Sequence, residues 1–162
     1  MKRYIVGNSG VNGGETTLFT GEYQHTLDEK GRFCMPAKFR GTLGDRLMVT
    51  KGLDGCLFVY TKEEWAVLEE KLKRLPFTNS HARAFARFLF GGAVEYEVDK
   101  QGRILLTSHL REYAGLNKEL VLIGVGTRIE IWSKENWEVY SQKTEESYEE
   151  LAEKMVEFDL GF

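Results

Sequence analysis

No stretch of the chain approaches the roughly 20 consecutive apolar residues needed to cross a bilayer, and the N-terminus lacks the apolar core of a signal peptide. Neither a spanning segment nor a secretory leader is therefore expected. Cysteine is scarce. Cys34 and Cys56 stand alone, with no Cys-x-x-Cys, and read as two buried, reduced thiols of a cytosolic protein rather than a disulfide. His25, His81 and His109 do not cluster, and no cysteine joins them at ligand spacing, so no metal and no cofactor is expected. There is no nucleophile elbow, phosphate-cradling glycine loop or metalloprotease motif, and the scattered carboxylates form no acid–base pair, so the chain does not read as an enzyme. What remains is ordinary for a globular protein: 162 residues, 42% hydrophobic and 29% charged. That is enough to bury a real core, as one unit or as two small halves.

What the chain does have is an internal echo. Asp28-Glu29-Lys30-Gly31-Arg32 is answered by Asp99-Lys100-Gln101-Gly102-Arg103 at an offset of 71 residues (28 to 99). Gly21 and Gly92 keep that offset, as do Arg40 and Arg111. One residue is then inserted. Gly52 and Gly124, Lys62 and Lys134, Glu63 and Glu135, and Trp65 and Trp137 match at 72. A steady self-match marks a duplicated structural unit, and two copies are too few for a solenoid. Two similar halves packed together are expected.

Asp-x-x-Gly carries the chemistry of a tight turn. The Asp side chain accepts backbone N–H groups, and the Gly takes a positive φ. A type I turn followed by a left-handed Gly gives a three-residue hairpin loop with a bulge. The flanks fit strands. Tyr23, His25 and Leu27 alternate with Glu22, Gln24 and Thr26, while Val94, Tyr96 and Val98 alternate with Glu95 and Glu97. After the turns come the apolar triplets Phe33-Cys34-Met35 and Ile104-Leu105-Leu106. Each hairpin leads into a short helix, opened by Pro36 in the first half and capped by Thr107 or Ser108 in the second. A second strand pair follows in each half: 46–50 with 56–60, and 120–123 with 128–132, joined by glycine-rich turns.

Charge is segregated. The net charge is −3, yet from Lys71 to Val94 there are five basic residues (Lys71, Lys73, Arg74, Arg83, Arg87) and no acid. From Lys134 to Phe162 three lysines face nine acids. The basic connector reads better as a solvated helix face, or one meeting an acidic neighbour, than as a phosphate track. Thr61 caps a helix carrying Trp65, Leu68, Leu72 and Leu75, which Pro76 stops. Asn79 or Ser80 caps a second helix, ended by Gly91-Gly92. Trp65 and Trp137 begin helices and read as packing residues. Tyr148, Leu151, Ala152, Met155 and Phe158 lie at helical spacing among acids, an amphipathic helix that would cover a core or a neighbouring subunit.

Asp-x-x-Gly-Arg, an apolar triplet and then Pro36-Ala37-Lys38-Phe39-Arg40 resembles the signature of AbrB/SpoVT-type swapped-hairpin DNA-binding domains. Two tandem copies joined by a helical segment resemble the MraZ family of bacterial transcriptional regulators, over Phe19 to about the C-terminus. The second copy departs from the pattern, with Thr107-Ser108 where the first has Pro-Ala. The resemblance implies a mixed α/β, mostly β chain: two AbrB-like swapped-hairpin halves forming a pseudo-dimeric (double-split) β-barrel with flanking helices. The expected organisation is a disordered N-terminal extension (1–18), a first domain (22–64), a helical connector (65–92), a second domain (93–136) and an acidic amphipathic helix (137–162). Leu18 lies where family members usually begin with Met, and a TTG leucine codon can start translation in bacteria, so a native start at residue 18 is expected.

Arg32 and Arg103 carry the central functional reading. From the residues alone, each either braces its turn by pairing with its own Asp or is presented by that turn to phosphate or guanine; a braced arginine is also a preorganised one. The resemblance places both on a DNA-binding face. Lys30 and Lys100 are solvated turn lysines or phosphate contacts, and Lys38 and Arg40, just behind the first turn, stand similarly. Arg111 matches Arg40, and His109 is a weaker candidate. Asp28, Gly31, Asp99 and Gly102 brace the turns. The resemblance further implies a sequence-specific regulator of the division and cell-wall gene cluster, binding short direct repeats upstream of its own gene. Its partners would be double-stranded DNA and copies of itself in a ring-like homo-oligomer, at the nucleoid in the cytoplasm and not at a membrane. A protein-interaction ring or antitoxin-like partner on the same fold is the alternative.

Overall fold

A computed structural model describes residues 18–160. The extension at 1–17, with the proposed disorder and start site, lies outside the described residues apart from Leu18 itself. Alternation and turn chemistry generate the same order of elements twice. The first half runs β1 (Glu22–Thr26), β2 (Arg32–Cys34), α1 (Ala37–Leu43), β3 (Arg46–Lys51), β4 (Leu57–Thr61) and α2 (Lys62–Leu72). Helix α3 (Ser80–Gly91) links it to the second half. There β5 (Val94–Glu97), β6 (Arg103–Leu105), α4 (Ser108–Tyr113), β7 (Glu119–Val125), β8 (Arg128–Ser133) and α5 (Lys134–Lys154) follow, with a 3₁₀ turn at Met155–Phe158.

The expected β3–β4 and β7–β8 hairpins form. The strands flanking the Asp-x-x-Gly turns do not pair with each other, which corrects the simple hairpin expected there. Strand β1 pairs antiparallel with β7, β5 with β3, and β2 with β6. Each turn closes its own loop, then sends its two strands to different partners, β2 and β6 meeting across the halves. The apolar stripes explain why. Leu27, Phe33 and Tyr96 all reach one shared core, together with Phe39, Leu47, Leu57, Leu110, Leu120 and Ile129. Burying such side chains contributes roughly 1.5–3 kcal/mol each, and neither half encloses them alone.

The result is a six-stranded sheet, ordered β1-β7-β8-β4-β3-β5, and a separate two-stranded β2–β6 ribbon. Exchanging the halves turns the β7-β8-β4-β3 centre and the ribbon each into its own reverse. In the β4–β8 pair the repeat-related residues Phe58 and Glu130 face each other. In the ribbon, Phe33 faces Ile104. The chain is thus a two-fold arrangement of its own halves. The closed barrel is not formed: β1 and β5 end the hydrogen-bonded order. The Glu130 carboxylate accepts from Arg128 (2.9 Å) and Trp132 Nε1 (3.0 Å), and Arg128 lies over the Phe58 ring at 4.5 Å.

Two local expectations change, and a third is narrowed to one of its alternatives. Cys34 is exposed, because it occupies the outward position of β2, while Cys56 is buried with its thiol donating to the Leu53 carbonyl. Thr107 stands at the start of α4 but makes no side-chain cap. Its hydroxyl is engaged by the Tyr96 hydroxyl and by His109 Nδ1, and the Tyr96 oxygen also accepts from the Thr107 N–H at 2.9 Å. Beyond its first turns, helix α5 covers no core among the described residues: Trp137 packs on the cluster of Cys56, Phe58, Val121 and Trp132, while Tyr148 is exposed. Only its start docks, with Trp137 and Tyr140 packed on Trp132, and none of its residues is buried. Elsewhere the capping holds: Thr61 accepts from Glu64 N, and Asn79 from His81 N and Ala82 N.

Candidate nucleic-acid interface

The two turns are built alike. In the first, Asp28 Oδ1 accepts the N–H groups of Lys30 (2.9 Å) and Arg32 (2.8 Å), and Oδ2 accepts Arg32 Nε at 2.8 Å. In the second, Asp99 Oδ1 accepts from Gln101 and Arg103, both at 2.8 Å, and Oδ2 accepts Arg103 Nε at 2.9 Å. Gly31 (φ +85°) and Gly102 (φ +78°) take the left-handed conformation that closes each loop. The Arg32 and Arg103 backbone N–H groups, reinforced by the guanidinium of the same residue, hold the Asp28 and Asp99 carboxyls below the usual carboxylate range. Each aspartate accepts three hydrogen bonds within its own turn.

Each arginine side chain bonds through Nε among the described residues. Among the described residues no hydrogen bond engages the η nitrogens of Arg32 or Arg103. Both side chains remain accessible, at 29% and 31% of full exposure. A guanidinium fixed by its Nε edge still presents an outward pair of donors, the geometry suited to phosphate or to the acceptor edge of guanine. Lys30 and Lys100 are exposed in the same turns.

The ribbon brings the turns together. Its register sets Arg32 opposite Leu105 and Cys34 opposite Arg103, while Phe33 and Ile104 point into the core. Arg32, Cys34, Arg103 and Leu105 therefore share one outward face. The turns are tied crosswise: Gly31 O accepts from Leu106 N, and Gly102 O from Met35 N, both at 2.9 Å. The Arg111 guanidinium lies against Gly31, where a Cβ would sit 2.9 Å away, and donates Nε to the Leu106 carbonyl. Arg40 lies against Gly102 in the same manner. Arg40 thus reaches the site as a support for the opposite turn. Lys38 has its ammonium 5.8 Å from the Tyr23 ring on β1. The basic connector is used locally: Arg83 donates to the Phe77 carbonyl and Lys73 pairs with Glu70.

Sequence reasoning missed the crosswise support and the outward residues Cys34 and Leu105. Alternation counted from an outward Arg32 and Arg103 would have found the latter, since the second residue along a strand returns to the same face.

The class these features define is a two-repeat chain that displays a pair of identically braced arginines on one face of a shared ribbon. Comparison with known proteins gives the family. The model described as "MraZ protein, putative antitoxin-like" matches twice in tandem, at residues 18–88 and 89–159. The protein named Transcriptional regulator MraZ from Heliobacterium modesticaldum is 63% identical over 143 residues, spanning 88% of this chain and all of the relative. Proteins of the same name from Carboxydothermus hydrogenoformans and Moorella thermoacetica are 61% and 59% identical, each over 143 residues with the same coverage of both chains. The chain belongs to the MraZ family.

Proposed function

We propose that this chain is a sequence-specific, DNA-binding transcriptional regulator and that the outward face of the β2–β6 ribbon meets DNA. Its relatives carry the name of transcriptional regulators. The observation that carries the DNA reading is the pair of arginines, each locked through Nε to its own aspartate and each with η nitrogens that no hydrogen bond among the described residues engages, on one face. Arg32 and Arg103 supply the specific contacts, and Lys30 and Lys100 neutralise phosphates. Asp28, Gly31, Asp99 and Gly102 hold the turns, and Arg40 acts through Gly102. Lys38 adds a phosphate contact beside the first turn. The crosswise strand pairing is read as the single-chain form of a swapped-hairpin dimer, with the sheet and ribbon as the two parts of a split barrel.

The rest of the reading is multivalent. One ribbon makes few contacts, so copies arranged in a ring present many ribbons to repeated boxes and gain by effective concentration. The unburied apolar stripe of α5 and its extension, with Tyr148 and Phe158 exposed, supports such an assembly between copies. The targets are boxes upstream of the protein's own gene in the division and cell-wall cluster, and the site of action is the nucleoid.

The test is binding to that upstream duplex against a scrambled one at several salt concentrations. Arg32→Ala and Arg103→Ala should each weaken specific binding by about 1–3 kcal/mol without unfolding the protein. The slope of log K against log salt should become shallower in a Lys30→Ala/Lys100→Ala variant, by ~0.9 for each phosphate no longer neutralised, and change less in the Arg32→Ala/Arg103→Ala double variant. Undiminished binding by the double variant would falsify the ribbon reading. Intact oligomers with no specific DNA binding at any salt would favour the antitoxin-like reading.

A further inference from the structure

The outward face of the ribbon is symmetric in charge and asymmetric in apolar bulk. The two-fold relation of the halves exchanges Arg32 with Arg103, and Cys34 with Leu105. The arginines match in brace, distance and exposure. The other diagonal does not match: one corner holds a small thiol and the other a leucine. Leu105 is 55% exposed, although the flanking Ile104 and Leu106 are each only 1% exposed. No packing within the described chain accounts for a branched aliphatic side chain held out beside Arg32. A strand that must keep only its inward face apolar would carry a polar residue there.

The chemistry of a duplex groove supplies a role. Guanine offers two acceptors to a guanidinium in the major groove, and thymine offers a 5-methyl group that no donor recognises and an apolar side chain does. A two-stranded ribbon is of a size to enter that groove. We infer that Leu105 is a specificity-determining residue that packs on the 5-methyl group of a thymine beside the guanine contacts. Because its counterpart is Cys34, this contact is made strongly on one side of the two-fold axis, so the ribbon reads its box in one direction. The inference rests on the DNA reading above and adds what that reading lacks, a reason for a two-fold face to distinguish one end of its box from the other.

The experiment begins by selecting the preferred box from a random duplex pool with the intact protein. Binding is then compared on that box and on the same box made with deoxyuridine in place of thymidine, which removes only the methyl groups. The intact protein should bind the deoxyuridine box about fourfold more weakly, the effect expected for one buried methyl group. Leu105→Ala, and Leu105→Cys as a variant already tolerated at the matching corner, should bind the two boxes alike. Cys34→Leu should enlarge the difference between them. Equal binding of both boxes by the intact protein overturns the inference, as does an undiminished difference in both Leu105 variants. Failure of the DNA reading looks different: no box is enriched, or Arg32→Ala/Arg103→Ala binds the selected box as well as the intact protein, and both readings then fall together.

Discussion

The two halves of this chain are closely alike in one part and unlike in another. Their turns repeat bond for bond, with arginine Nε to aspartate distances of 2.8 and 2.9 Å. The helices that follow β4 and β8 begin alike, each with Lys-Glu and a tryptophan at the fourth position, capped by Thr61 and Ser133. They then part. Helix α2 stops at Leu72, before Pro76, and its Trp65 is 7% exposed. Helix α5 runs to Lys154 with no residue buried. A duplicated chain is free to diverge wherever the two copies no longer serve one surface. The turns share a ribbon, so a change in either alters the common face, whereas the two helices lead to different surroundings.

The largest expected effect separates the tryptophans. Trp65→Ala should cost about 4 kcal/mol, because it empties a buried site against Tyr60 and Phe90. Trp137→Ala should cost less, about 2 kcal/mol, since that ring is only partly buried on Trp132 and donates to Glu22. Chemical denaturation of each variant gives the comparison, and equal losses would mean that the two helices dock equivalently after all. The caps should behave alike. Thr61→Ala and Ser133→Ala each remove one acceptor of a first-turn N–H, from Glu64 and Asn136, and each should cost about 1 kcal/mol.

The turns should also respond alike to acid. Asp28 and Asp99 both titrate below the ordinary carboxylate value, for the same reason: N–H groups from Arg32 or Arg103 stabilise the ionised form. A depressed carboxyl contributes stability that is fully present above its unfolded value of about 3.9 and is lost as pH falls through the lower folded one. Carboxyl carbon NMR shifts should therefore give two low midpoints, and exchange protection of the Arg32 and Arg103 amides should fade over the same range. An ordinary midpoint in one turn alone would break the equivalence of the halves.

How far the sequence disclosed this follows from the range of each interaction. Turn chemistry is local, so Asp28 to Arg32 and Asp99 to Arg103 were readable, as were the caps at Thr61 and Asn79 and the two glycine-linked hairpins. Which strand β1 or β2 would choose was not, since Tyr23 and Leu27 need only an apolar partner and say nothing of which half supplies it. The positions of Arg40 and Arg111 over the opposite turns depend on that crossing, and so were hidden with it. Thr107 misled for a different reason. A side-chain oxygen at a helix start is a cap only when no better partner exists, and Tyr96, eleven residues back, provides one. Family resemblance recovered the MraZ family; it did not show the sheet's open ends or the outward leucine.

The smallest effect on the folded chain is expected where the halves differ most. Tyr148 is 68% exposed on α5, and Tyr148→Glu removes little packing within the chain, so its stability at low concentration should move by less than about 0.5 kcal/mol. The same change places a carboxylate in a stripe already flanked by Glu145, Glu146, Glu149 and Glu150. If α5 is where copies meet, the assembly should dissociate although each chain keeps its fold, and light scattering should report the smaller mass. On the proposed DNA reading, binding should then lose its multivalent gain and still depend on Arg32 and Arg103. Should the mass and the binding both stay unchanged, α5 is not the surface that joins copies, and the divergence of the two helices must have a cause outside assembly.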